Sequence, residues 1–368
     1  MLRPRKVMAS ARNTRLSPSS PHSAKSPMRP NPSADGRRKS MIISITEMTR
    51  KIGASLFRSK HEPDREAQFQ PSPMFKCPKR QVAPYLPTES TVGKISIVTG
   101  ANSGIGLAVA TKLAKMGGGV VLVCRDQSRG EAALESIRKA TGNENVELMV
   151  ADLASLQSVR KLASDFLATR EHLELLVNNA GVIIGERTTT VDGLETTFVV
   201  NYLSHFLLTN LLLDLMRRSA PSRIVNVTSD ANFSGRMDFD DLQEVRRYRA
   251  SRSYAQSKLA QVLFTHELAK RLAGTGVTVN SVHPGAVRTH WGDEGGLFGI
   301  GVRIARPFMA SPEKGARTPL YVATSPEVEG ISGKYFSNMK ETQSSGESYD
   351  EAEAKRLWDV SLKLTGLE

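Results

Sequence analysis

Tyr254 and Lys258 stand four residues apart in the segment Ser253–Leu272, which the pattern predicts to be a helix, so both side chains fall on one helix face. An ammonium beside a phenol lowers the phenol's pKa from about 10 toward neutrality, where it can both give and take a proton. Hydride reduction of a carbonyl needs such a donor at the oxygen, with groups that stabilise the developing alkoxide. A Tyr-x-x-x-Lys pair alone often decorates a solvated helix face. Ser229 shifts that balance. It lies just past the predicted strand Arg223–Thr228, and its hydroxyl could hydrogen-bond a substrate oxygen. Thr228 and Asp230 are neighbours with weaker claims.

A second constellation is Thr99-Gly100-Ala101-Asn102-Ser103-Gly104-Ile105-Gly106, between a predicted strand and a predicted helix. Glycines let the backbone approach a pyrophosphate, and the helix N-terminus supplies free N–H groups and a positive dipole end. The alternative is a tight strand–helix turn with no ligand. The next strand ends Val123-Cys124-Arg125-Asp126. An acid at this tip suits the ribose hydroxyls of NAD, and a base suits a 2′-phosphate. Residue type alone leaves open which of the two faces the ribose; Arg125 stands first and favours NADP(H). Asp152-Leu153 follows the third strand, where adenine would lie, and reads equally as the N-cap of a helix starting near Ser155.

These residues need a frame. Short, continuous apolar strands (Lys94–Thr99, Val120–Cys124, Val146–Val150, Leu175–Val177, Arg223–Thr228, Val277–His283) alternate with helices at Gly104–Met116, Arg129–Ala140, Ser155–Ala168, Leu194–Arg218 and Ser253–Leu272. Strands of this kind belong to a parallel sheet covered on both faces, and six such units give a doubly wound α/β fold of the Rossmann type. Residues 91–368 are expected to form that single domain. Leu357, Trp358, Val360, Leu362 and Leu364 predict a closing amphipathic helix packed on the core.

The 368-residue chain carries 50 Lys+Arg against 37 Asp+Glu, a net charge of +13. Residues 1–80 hold 18 basic and 5 acidic side chains, so the whole excess sits in the extension and the remainder is neutral. That argues against a nucleic-acid-binding surface on the folded body. Residues 1–90 read as a basic, largely disordered leader and linker, because so polar a segment cannot offset its ordering entropy by burial. Within it, Met41, Ile45, Met48, Ile52 and Leu56 recur at helical spacing over 41–58, either an amphipathic helix for import recognition or an anionic membrane, or a transient helix in a leader. An Arg- and Ser-rich, acid-poor start resembles organellar transit peptides, which would place the protein in a mitochondrion or plastid; otherwise it is cytoplasmic or peripheral on a membrane. Two cysteines, Cys77 and Cys124, exclude a disulfide framework, and Cys124 reads as a buried core residue. Leu203–Leu215, the most apolar segment, is interrupted by polar residues and reads as a buried helix. His205 and His283, in an apolar helix and at a strand end, read as structural histidines.

Taken together, Thr99–Gly106, Asn178-Asn179-Ala180-Gly181, Ser229, Tyr254-Ala255-Gln256-Ser257-Lys258 and Pro284-Gly285 resemble the short-chain dehydrogenase/reductase family across residues 93–340 or beyond. The resemblance implies Tyr254 as acid/base, Lys258 on the nicotinamide ribose, Ser229 on the substrate carbonyl and Asn201 holding a water of the proton relay. It implies that Asn178, Asn179 and Gly181 lie by the cofactor, with Pro284, Gly285 and Thr289 on the nicotinamide side. Within the family the chain is most similar to the NADP-preferring retinol dehydrogenase branch, through Asn201-Tyr202-Leu203-Ser204-His205-Phe206-Leu207-Leu208-Thr209, Lys258–Leu272, His283–Thr289, Ser332-Gly333-Lys334-Tyr335-Phe336 and Arg125 after Cys124. That implies a small apolar carbonyl or alcohol substrate, a substrate-covering segment at 290–310 and a homodimer through helices 194–218 and 253–272. Residues 1–90 lack the membrane anchor usual in that branch, and the glycine-rich segment 290–310 is not diagnostic of retinoid. Two alternatives share the motifs: an NADPH-sensing regulatory or translocon-associated protein of an organelle, and a light-dependent porphyrin reductase, for which cysteines are scarce.

Overall fold

The computed structural model describes residues 91–285 and 310–368. The leader 1–90, the stripe at 41–58, Cys77, Thr289 and nearly all of 290–310 lie outside the described residues.

Six strands run parallel: β1 (Ile95–Thr99), β2 (Gly119–Cys124), β3 (Val146–Val150), β4 (Leu175–Asn178), β5 (Ser222–Val227) and β6 (Val277–His283). The sheet order is β3-β2-β1-β4-β5-β6, continued by β7 (Tyr335–Ser337), parallel to β6, and β8 (Lys340–Thr342), antiparallel to β7. This is the doubly wound arrangement that the alternation of apolar runs and helices predicts. Chain order reverses on the two sides of β1, so a crevice opens beyond the carboxyl ends of β1 and β4.

Side chains alternate across the sheet with the period of a strand. Ile97, Val121, Val123 and Leu176 face one layer, where α3 (Leu156–Thr169), α4 (Ser204–Arg218), α5 (Ala250–Arg271) and α7 (Glu351–Thr365) bury their apolar stripes. Val98, Val120, Leu122 and Val177 face the other, against α1 (Gly104–Lys115), α2 (Gln127–Thr141) and α6 (Arg317–Thr324). Runs rich in Val, Leu and Ile are therefore favoured, because β1 and β2 are covered by helices on both faces.

Helix α4 begins earlier than its regular part. Thr196–Arg218 is one helical stretch of 23 residues that widens into a π-turn at Val199–Leu203. It is the one stretch among the described residues long and apolar enough to cross a membrane, with a hydropathy of 1.3, yet 78% of that window is buried inside the fold. Phe206 shows why: it is fully buried, with ring centroids 5.0 Å from Trp358 of α7 and 5.3 Å from Phe264 of α5. Tyr202 completes the contact through a 2.7 Å hydrogen bond to Ser361. Trp358 and Ser361 thus seat α7 on the helices the family resemblance offers as dimer faces. Phe206→Ala is expected to cost about 3–5 kcal/mol in urea unfolding, the range for truncating a fully buried phenylalanine.

Candidate active site

The first strand hands the chain to the glycine loop at the sheet's carboxyl edge. Gly100 and Gly104 adopt φ of 65° and 56°, conformations costly for other residues. Gly106 is required for a different reason: a Cβ there would sit 2.4 Å from the Gly100 carbonyl oxygen. Asn179 braces the turn, its Nδ2 donating to the Thr99 carbonyl at 2.8 Å. Ser103 precedes α1 without capping it through its side chain, and the first turn of α1 carries no acid. The free N–H groups of α1 thus face a cradle shaped and charged for an anion, so the residues present fit a dinucleotide pyrophosphate.

Arg125 and Asp126, both exposed, differ in their local engagement. Asp126 is the N-cap of α2, its Oδ1 accepting the Arg129 N–H at 2.8 Å, while Arg125 is exposed. Cys124 is buried, which pushes its thiol pKa up, and its sulfur would be 2.6 Å from a Cβ on Gly130. Asp152 is not the cap of α3. Ser155 caps it by accepting the Ser158 N–H, and Asp152 closes a turn with the Ala154 N–H at 3.0 Å. Leu153 is buried in the core. Pro284 and Gly285 follow β6 directly, with Gly285 at φ 86°.

Beyond the ends of β4 and β5 the polar set converges. Tyr254, on the inner face of α5, is 6% exposed, and the Ser229 side chain lies close enough to its hydroxyl to oppose the rise in its pKa. Lys258, one turn later, lies with Nζ 5.5 Å from the Tyr254 ring centroid and donates to Gln261 Oε1 at 2.8 Å and the Val227 carbonyl at 3.1 Å. Asn201 sits in the π-turn: its Oδ1 accepts the Val182 N–H, and its Nδ2 donates to the Val182 carbonyl and, at 2.9 Å, to Ser257 Oγ. A π-turn turns one residue out of helical register, which is a recurrent way of presenting a functional group. Ser229 begins the turn Asp230–Ser234, its Oγ accepting the Ala231 N–H at 3.2 Å.

Burial, rather than the ammonium, dominates the electrostatics. It pushes the Tyr254 phenol well above its ordinary value, only partly offset by Ser229, and pulls Lys258 down to about 7. The pair therefore departs from the simple expectation that the lysine brings the phenol to neutrality, because a desolvated phenolate costs more than a lysine above its ring returns.

Both histidines are fully engaged. Thr99 Oγ1 accepts N–H groups from Asn179 and Ala180 and lies 3.0 Å from His205 Nε2. The Asn201 carbonyl, 3.0 Å from Nδ1, can only accept, so Nδ1 carries the ring hydrogen and Nε2 accepts from Thr99 Oγ1, whose hydrogen is shared with the Val177 carbonyl at 3.4 Å. Burial pulls His205 down to about 4, which keeps it neutral. His283 Nδ1 accepts the Asp230 N–H and its Nε2 faces Asp230 Oδ2, both at 3.2 Å, tying the Ser229 turn to β6.

Sequence reasoning missed Gln261 and Glu195. Gln261 follows Lys258 by three residues on the same helix face, a signal the spacing carries. Glu195 accepts the Thr197 and Phe198 N–H groups and the Ser253 hydroxyl, joining the start of the Asn201 helix to the residue before Tyr254. Only the folded arrangement reveals that link. Among the described residues, no group of His, Cys, Asp and Glu is placed to hold a metal ion.

Residues 94–295 match the short chain dehydrogenase family. Human retinol dehydrogenase 13 is 47% identical over 290 residues, spanning 77% of this chain and 88% of that protein. Human retinol dehydrogenase 12 is 46% identical over 275 residues, spanning 75% and 87%. Among solved structures, the Pseudomonas aeruginosa RhlG/NADP active-site complex superposes with a TM-score of 0.55 at 27% identity, covering 72% of this chain and all of that one.

Proposed function

The chain belongs to the short-chain dehydrogenase family of oxidoreductases, and on that premise we propose that it is an NADP(H)-dependent enzyme interconverting an apolar alcohol with its aldehyde or ketone. The observation that carries this reading is the Ser229–Tyr254 hydroxyl pair beside Lys258, at the carboxyl edge of the sheet and across from the glycine cradle.

Gly100, Ser103, Gly104, Ile105 and Gly106 would hold the pyrophosphate, with Arg125 at the 2′-phosphate and Asp152, Leu153 and Asn179 along the adenosine half. Lys258 would meet the nicotinamide ribose, and Pro284, Gly285 and Thr289 the nicotinamide side. NADPH bound there supplies a hydride. The remaining work falls to side chains. Ser229 orients the carbonyl through a hydrogen bond. Tyr254 donates its proton to the oxygen as negative charge develops there. Its raised pKa suits this direction, because a neutral phenol at physiological pH is a loaded donor and an alkoxide is the stronger base. Lys258 stabilises the phenolate left behind, and Asn201 anchors the route by which the proton is restored.

NADP(H) over NAD(H) is supported by Asp126 being engaged as a helix cap while Arg125 stays exposed. Arg125→Gln is expected to raise the Kd for NADPH about 10- to 100-fold, the worth of a charge-assisted bond to phosphate, and to leave NADH binding unchanged. Fluorescence titration with both nucleotides checks it. Equal losses for the two would remove Arg125 from the 2′-phosphate.

An apolar substrate is supported by the similarity to retinol dehydrogenases 12 and 13. Those relatives lend nothing to a translocon-associated role. For the basic segment 1–90 we keep organelle addressing or contact with an anionic membrane as its reading. The test is NADPH oxidation with all-trans-retinal and a series of straight-chain and aromatic aldehydes. Turnover of at least one supports the reading, and bound NADPH with no turnover across the series overturns it.

A further inference from the structure

Lys258 is buried, and its three ammonium hydrogens need acceptors. Two have them within the protein: Gln261 Oε1 at 2.8 Å and the Val227 carbonyl at 3.1 Å. Lysine only donates, so the orientation of the Gln261 amide is settled: the oxygen faces Nζ. Gln261 is 1% exposed; its main-chain carbonyl accepts Thr265 Oγ1 at 2.8 Å, while its Nε2 has no hydrogen-bond partner among the described residues. Thr265 Oγ1 accepts Asn226 Nδ2, and Asn226 Oδ1 accepts Asn178 Nδ2, both at 2.9 Å. A buried polar column thus runs from the Gln261 main chain on α5 through β5 to β4, beneath the side-chain contact to the lysine. With two of its hydrogens fixed, a tetrahedral ammonium has one direction left for the third. On the open side lies Gly181, where even a Cβ would be 3.7 Å from Nζ and 3.4 Å from Asn201 Oδ1.

We propose that Gln261 is a positioning residue which, with the Val227 carbonyl, clamps the Lys258 ammonium and aims its remaining N–H at the ribose and Tyr254. This rests on the oxidoreductase reading above. The clamp also opposes burial, which favours the neutral amine, because an acceptor at 2.8 Å stabilises only the charged form. The titratable groups facing Lys258 are Tyr254, from its own helix, and His205, from α4. Neither carries a negative charge near neutrality, so Gln261 and Val227 are the stabilising partners.

The test is an NMR titration of lysine side chains in the cofactor-free, full-length protein, assigned with Lys258→Arg, for wild type, Gln261→Leu and Gln261→Glu. The pKa of Lys258 is expected to fall by about one unit in Gln261→Leu and to rise by at least about one unit in Gln261→Glu. In steady-state assays the alkaline limb of the kcat profile moves the same way, with kcat of Gln261→Leu down about tenfold at pH 7.5 and the KM for the carbonyl little changed. A purely structural glutamine would lower stability without moving either pKa or profile. An unmoved Lys258 titration in both folded variants overturns the proposal. Where Gln261→Leu does not fold, Gln261→Glu and Gln261→Asn carry the same test. Shifts as expected in a protein that binds NADPH but reduces no carbonyl support the clamp and sink the enzymatic reading instead.

Discussion

Tyr254→Phe is expected to lower kcat by about 10²- to 10⁴-fold, the usual worth of a positioned general acid, with NADPH binding at wild-type affinity. The substitution removes one oxygen. The ring stays where it is, because Tyr254 is packed within α5 and is 6% exposed. The Ser229 hydroxyl also keeps its bond to the Ala231 N–H. What is lost is the proton that must reach the carbonyl oxygen, and among the described residues no comparable acid replaces it: the Ser229 alcohol is far weaker than a phenol, Lys258 is turned onto Gln261 and Val227, and His205 donates to the Asn201 carbonyl. Steady-state kinetics on the best aldehyde of the series, with nucleotide titration beside it, measures both quantities. A Phe variant retaining a tenth or more of the wild-type rate would assign the proton to another group.

Gly106→Ala has the second large effect, on cofactor binding. The added methyl would stand 2.4 Å from the Gly100 oxygen and 2.5 Å from Asn179 Nδ2. The first neighbour is backbone, and the second is held by the Thr99 carbonyl. Neither can yield cheaply, so the turn itself must open. Overpacking of this kind costs about 1–3 kcal/mol of stability. Displacing the N–H cradle by even part of an ångström should weaken NADPH about 100-fold, close to 2.7 kcal/mol. Gly185→Ala is the control: nothing lies within 4 Å of its Cβ position, so its stability should stay within about 0.5 kcal/mol of wild type. Thermal unfolding and fluorescence titration of both variants decide it. Wild-type NADPH affinity in Gly106→Ala would mean the loop does not hold the pyrophosphate.

The frame that positions these groups is legible in the sequence because a doubly wound sheet demands runs of β-branched and apolar residues. Val146–Val150 and Val277–His283 coincide with their strands, and the other four strands of the parallel set differ by a residue at one end or both. The last two strands are not legible. Each has three residues, and their connecting turn places Asn338 and Met339 at φ 51° and 60°, where a glycine would have advertised it. The closing helix was visible as a stripe of Leu357, Trp358 and Leu362, but Ser361, fully buried on Tyr202, was not.

The site divides in the same way. Tyr254, Lys258 and Ser229 announce themselves by spacing and by place on predicted elements. The π-turn around Asn201 has no sequence mark, since it depends on how Glu195 caps the helix start and how Asn201 grips Val182. That Asp126 caps α2 is likewise a property of the folded turn rather than of residue type. The electrostatics of Tyr254 and Lys258 were beyond pattern altogether, because burial sets both pKa values and burial is a property of the packed layers.

On the proposed function, this site would transfer hydride from NADPH to an apolar carbonyl with Tyr254 as proton donor. Isotope tracing tests it most directly: NADPH carrying deuterium at the transferable position, separately on each face of the nicotinamide, is incubated with the protein and an apolar aldehyde, and the alcohol is analysed by mass spectrometry. The expected result is one deuterium on the carbinol carbon from one face only, formed at least about 100-fold more slowly by Tyr254→Phe. Unlabelled product from both faces, or no product from a protein that demonstrably binds NADPH, would contradict it.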